Sequence, residues 1–173
     1  SVSRSCCAYV EISGIPYLYQ FGGGNTSTEL RRVARLNLQT NTWQNNYSTM
    51  PTQISIGTAI PVNGGTEIYV FGGNTSPGTL GKTLKYNVLA NTWQTMTDMP
   101  TRITDALVVK YSESKIIILG GGDGYYGSGA LKTNKVQVYN ISSNSYSYIT
   151  DLPIPLAMLG GGIYRDTIIT VGG

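Results

Sequence analysis

Short apolar runs, each closed by two glycines, punctuate the chain at near-regular intervals. They read Tyr17-Leu-Tyr-Gln-Phe-Gly-Gly23, Ile68-Tyr-Val-Phe-Gly-Gly73, Ile116-Ile-Ile-Leu-Gly-Gly121 and Ile168-Ile-Thr-Val-Gly-Gly173. Runs this brief, rich in β-branched and aromatic residues, predict strands over 66–71, 115–119 and 167–171 that are buried on both faces. Upstream of the four runs, 7–11, 57–62, 106–110 and 159–164 form a second set of strand candidates. Between the two sets lie Ser13-Gly14, Asn63-Gly64-Gly65, Ser112-Glu113-Ser114 and Arg165-Asp166, and such residues predict tight hairpin turns.

The polar stretches that follow the glycines repeat as well. The first glycine of each pair falls at 22, 72, 120 and 172, which gives steps of 50, 48 and 52 residues. An apolar or tyrosyl position then precedes an aromatic by seven residues: Leu36 and Trp43, Tyr86 and Trp93, Tyr139 and Tyr146. Each aromatic follows Asn and a hydroxyl residue, at Asn41-Thr42, Asn91-Thr92 and Asn144-Ser145. Asn tolerates positive φ, so these positions predict a turn between a third and a fourth strand. Met50-Pro51, Met99-Pro100 and Leu152-Pro153 close each unit. Four antiparallel strands in about fifty residues make one blade of a β-propeller.

This pattern resembles the kelch repeat over essentially the whole chain. It is complete at Phe71-Gly72-Gly73, Tyr86 and Trp93, has Leu36 in place of the tyrosine in the first unit, and has Tyr146 in place of the tryptophan in the third. The expected fold is all-β: a partial ring of blades at 1–50, 51–100 and 101–152, with half a blade at 153–173. Gly22, Gly23, Gly72, Gly73, Gly120, Gly121, Gly172 and Gly173 are expected to serve backbone geometry. Tyr86, Tyr139, Trp43, Trp93 and Tyr146 are expected to fill the space between blades. Kelch propellers close with six or seven blades, so the resemblance implies that the remainder of the ring comes from a longer chain.

Composition narrows the chemistry. The chain has 173 residues, 12% charged, with 12 bases and 9 acids scattered along it. That small, unclustered excess of positive charge speaks against nucleic acid. No apolar run approaches the roughly 18 residues that span a bilayer. Histidine is absent, which removes the usual base of acyl-transfer triads and imidazole metal ligands. No two carboxylates stand within three positions of each other, so no acidic calcium loop is present. The string Gly120-Gly-Gly-Asp-Gly-Tyr-Tyr-Gly-Ser-Gly129 lacks Gly-Lys-Ser/Thr and leads into a strand, which excludes a phosphate-binding loop. Neither a metal nor a cofactor is expected.

The loops at 24–33, 74–83 and 122–134 are expected on one propeller face, together with the connections from each fourth strand into the next blade. In kelch proteins this face binds partners, and the resemblance implies a non-catalytic scaffold for a protein or, second, a glycan. Asp123, Tyr125 and Tyr126, set among glycines, together with Arg102, are the candidate contact residues. Arg102 and Arg4 each stand 18 residues before a glycine pair (120 and 22), which suggests equivalent places in their blades. Asp105 is the carboxylate best placed to reach the central channel. Two alternatives stay open: a structural module of an extracellular or surface assembly, and part of a carbohydrate-active propeller enzyme of the oxidase or sialic-acid mutarotase type with its catalytic residues elsewhere. Low charge with abundant Asn, Thr and Tyr favours an extracellular or cell-surface setting, whereas the adjacent thiols Cys6 and Cys7 favour a reducing one. Sequons begin at Asn25, Asn46, Asn74 and Asn140, and loop placement of the first three would permit glycans.

Overall fold

Short apolar runs bounded by turn residues dictate the elements, and the computed structural model shows them; it describes residues 4–24, 30–75, 78–123 and 131–173. Blade one holds β1 (Cys6–Ile12), β2 (Ile15–Phe21), β3 (Val33–Asn37) and β4 (Thr42–Gln44). Blade two holds β5 (Thr58–Val62) and β6 (Glu67–Phe71), a small ribbon of β7 (Asn74–Thr75) and β8 (Gly78–Thr79), then β9 (Thr83–Asn87) and β10 (Thr92–Thr95). Blade three repeats this with β11 (Leu107–Lys110), β12 (Lys115–Leu119), ribbon strands β13 (Gly122–Asp123) and β14 (Leu131–Lys132), β15 (Val136–Asn140) and β16 (Ser145–Tyr148). The half blade is the hairpin of β17 (Gly160–Tyr164) and β18 (Thr167–Val171). Strand order within each full blade follows the chain, apart from the ribbons, and every pairing is antiparallel. Among the described residues no helix is long and apolar enough to cross a membrane.

The first strands stand side by side, β1 against β5, β5 against β11 and β11 against β17, so the blades radiate from a common axis. The core accordingly lies between blades. In β6, Ile68 and Val70 face blade one while Tyr69 and Phe71 face blade three. This explains why β6 and β12 are apolar at every position after the first. The repeat's aromatics bridge the gaps as expected: Trp93 meets Phe21 edge-on at 5.6 Å, and Tyr139 lies 5.5 Å from Tyr69 and 5.8 Å from Phe71. Burial pushes the Tyr69 phenol up to about 12, with the charge of Glu67 adding to the effect. Trp43 is different. It is 50% exposed, because its blade has no described neighbour on that side.

The Asn turns are in the left-handed region, with φ of 53° at Asn41, 54° at Asn91 and 48° at Asn144. Two of them also tie blades together. Asn91 Oδ1 accepts from the Ser48 N–H at 2.9 Å and the Tyr86 hydroxyl at 2.8 Å; Asn144 Oδ1 accepts from the Thr97 N–H and the Tyr139 hydroxyl at the same two distances. Cys6 and Cys7 point to opposite faces of β1, the first buried and the second exposed, and both are free thiols.

Candidate functional site

The glycine pairs build the base of the loop face. The second N–H of each pair donates across the blade boundary: Gly23 to the Ile54 carbonyl, Gly73 to Ile103 and Gly121 to Leu156, at 2.8 to 2.9 Å. Approach this close excludes a side chain on the first glycine. A Cβ on Gly72, where φ is 59°, would stand 2.2 Å from the Ile103 oxygen. Ile54, Ile103 and Leu156 all come three residues after a proline. That recurring apolar position was available in the sequence as a signal for these acceptors.

Above this base, the two kinds of loop lie on one face and are bonded together. Ser55 pairs with Asn74 and Thr104 with Gly122 as isolated antiparallel bridges. The small ribbons β7/β8 and β13/β14 grow from these points. Asp123 is exposed at the base of the second ribbon, opposite Leu131, which is itself exposed. Arg102 is exposed two residues before Thr104. The bridge therefore brings Arg102 and Asp123 to the same side of the molecule. Tyr125 and Tyr126 lie outside the described residues.

A further feature was not foreseen. Arg4, Ile56, Asp105 and Met158, each just before the first strand of its blade, have φ between 53° and 59°. Their backbones form a chain of hydrogen bonds around the axis: Ile56 N–H to the Arg4 carbonyl at 2.7 Å, Asp105 to Ile56 at 3.5 Å, and Met158 to Asp105 at 2.9 Å. These four positions are the true equivalents, so the expected equivalence of Arg4 with Arg102 is overturned. Equal spacing to the glycine pair misleads here because β1 and β2 have seven residues each while β11 has four and β12 has five. Asp105 does stand near the axis, half-buried; burial raises its carboxyl above the usual range, opposed by a hydrogen bond from Thr104 and the charge of Arg4.

Ion pairs mark the rim. Lys82 meets Asp98 and Lys135 meets Asp151, both at 2.7 Å, while at the corresponding place in blade one Arg32 donates to Asn45 Oδ1 at 2.7 Å. Among the described residues, no three His, Cys, Asp or Glu side chains gather where they could hold a metal. The sequon at Asn74 is corrected by the structure: its side chain is fully buried under the loop face and has no hydrogen-bond partner among the described residues, so it cannot carry a glycan in the folded chain. Asn46 is exposed, Asn140 turns its Oδ1 onto the Ser142 and Ser143 N–H groups, and Asn25 lies outside the described residues.

Comparison with known proteins agrees with this geometry. Residues 61–100 match the family model described as Kelch motif. No curated protein gave a match. Among solved structures the chain is similar to the propeller YjhT, with a TM-score of 0.81 and 19% identity over 99% of this chain. The chain spans 59% of the length of that relative.

Proposed function

We propose that this segment of a kelch-type propeller is a non-catalytic binding scaffold whose loop face holds a protein partner, with the remainder of the ring supplied by further blades of a longer chain. The observation that carries the reading is the division of labour on that face. Bonded bridges at Ser55–Asn74 and Thr104–Gly122 fix the loop bases, and exposed residues of varied chemistry stand on them. A rigid base reduces the ordering cost of binding, while the loops above it are free to differ from blade to blade. Arg102 supplies a planar cation suited to a partner carboxylate. Asp123, Tyr125 and Tyr126 supply the acceptor and the aromatic surface.

The test is partner recovery from native extract with the unaltered chain and with Tyr125→Ala/Tyr126→Ala and Arg102→Ala variants. The expected outcome is loss of the partner in both variants with circular dichroism unchanged. Recovery that is indifferent to all three substitutions moves the site elsewhere on the molecule. Turnover of a sugar substrate by the unaltered chain overturns the non-catalytic reading altogether.

A further inference from the structure

We propose that the rim of blade one binds an acidic segment of a protein at Arg32 and Arg35, two cations whose partner carboxylates the blade itself lacks. Blades one and two each hold all four strands and share one register, so their charged positions match residue by residue. Tyr19 faces Arg35 across β2 and β3 as Tyr69 faces Lys85 across β6 and β9, and Tyr17 and Glu67 each face an asparagine. The Arg32 and Lys82 carbonyls accept from the first N–H of a glycine pair, Gly22 and Gly72. Thr49 and Asp98 each stand two residues before a proline.

Blade two neutralises its cations within itself. Lys85 meets Glu67 at 3.1 Å and Lys82 meets Asp98 at 2.7 Å. Blade three does the same at the rim with Lys135 and Asp151. Blade one keeps both cations, as Arg35 and Arg32, and has neither acid: Tyr17 takes the place of Glu67, and Thr49 that of Asp98. Among the described residues, Arg31, Arg32 and Arg35 form no ion pair. Glu11 is exposed beside the β1–β2 turn, and Glu29 lies outside the described residues.

Neutral groups hold Arg35 instead. Its guanidinium lies 4.2 Å from the centre of the Tyr17 ring and 5.1 Å from that of Tyr47. Gln44 Oε1 accepts from Nε at 3.2 Å and from Nη2 at 2.6 Å, and the Tyr19 hydroxyl accepts from Nη1 at 3.2 Å. Aromatic faces and an amide oxygen orient the cation without balancing its charge, and two of its five N–H groups remain for an outside acceptor. Arg32 likewise meets a neutral acceptor, Asn45 Oδ1. A guanidinium already fixed in place loses little freedom on binding, and its planar fork matches a carboxylate. The spacing adds the second requirement. Arg32 and Arg35 are three residues apart along the chain, about 10 Å in extended backbone. Acidic residues three apart in an extended segment have that same separation.

The probe is hexaglutamate capped at both ends, titrated by calorimetry at low ionic strength. Saturable one-to-one binding is expected, weakening as salt rises. The Arg32→Gln/Arg35→Gln chain should bind at least about tenfold weaker. Lys115→Gln/Lys132→Gln removes as much charge from exposed positions of blade three, and should bind within about twofold of the unaltered chain. Thr49→Asp copies Asp98 into blade one at an exposed residue, and should weaken binding about threefold by engaging Arg32 from within. Should the double arginine variant fail to fold by circular dichroism, Thr49→Asp carries the test. No binding of hexaglutamate, an equal loss in the blade-three variant, or full affinity in Thr49→Asp would each overturn the proposal. So would a sulfated heparin oligosaccharide that binds through the same arginines more tightly than the peptide. The variants that test the loop face lie on other residues, so the two readings fail separately.

Discussion

Blade two and the half blade are written in the same pattern, yet their equivalent residues live in opposite environments. Tyr69 and Phe71 on β6 are buried between two blades, whereas their counterparts Ile169 and Val171 on β18 are 51% and 63% exposed. The glycines that follow behave alike. A Cβ on Gly72 would strike the Ile103 carbonyl at 2.2 Å, whereas one on Gly172 would meet nothing closer than 3.6 Å. A strand's pattern of apolar residues records what a blade is prepared to bury. The neighbour decides whether burial happens.

Paired substitutions turn this contrast into measurements by chemical denaturation. The largest difference is expected between Phe71→Ala and Val171→Ala. Removing a fully buried phenylalanine costs about 3–5 kcal/mol, because transfer energy is lost and a cavity remains; the exposed valine should stay within about 0.5 kcal/mol. If Val171→Ala matches Phe71→Ala, the half blade is covered in solution and the contrast collapses. Next comes Gly72→Ala against Gly172→Ala. Both add the left-handed penalty of about 1–2 kcal/mol, but only the first must also displace a backbone carbonyl, so it should exceed the second by at least about 1 kcal/mol.

A third pair sharpens the role of the turn asparagines. Asn91→Ala loses the acceptor for Ser48 and Tyr86, and should cost about 2–3 kcal/mol when the lost hydrogen bonds and positive φ are combined. Asn41→Ala shares the positive φ on a blade face without a described neighbour, and should cost about 1 kcal/mol. The last effect appears only at alkaline pH. The Tyr69 phenol is pushed up from 10.0 to about 12 in the folded chain. Its contribution to stability is complete below pH 10, where both states are protonated, and is lost between pH 10 and about 12 as the unfolded chain ionises first. Tyr69→Phe should flatten the stability profile across that window; an unchanged slope would assign the alkaline loss to other buried phenols.

Much of the architecture was legible because it depends on local, repeated physics. Short apolar runs and the turn residues between them placed β1, β2, β5 and β6 within one or two residues. The glycine pairs marked the ends of the second strands, and Asn41, Asn91 and Asn144 marked turns whose positive φ the structure bears out. The ribbons β7/β8 and β13/β14 were not legible, because two-residue strands leave no periodicity. Arg102 and Asp123 do share the loop face, but only the Thr104–Gly122 bridge establishes it.

By itself, then, the sequence determined which residues form strands, where they turn and which faces they offer for burial, since each of these follows from neighbours a few positions apart. Tertiary structure alone decided equivalence and coverage. Arg4 aligns with Asp105 and not with Arg102, because hairpins of unequal length absorb the difference in spacing while the backbone bonds around the axis hold position. Asn74 is sealed from solvent although its sequon sits in a loop. In each case the deciding atoms belong to another blade, and contact across blades leaves no mark on the local order of residues.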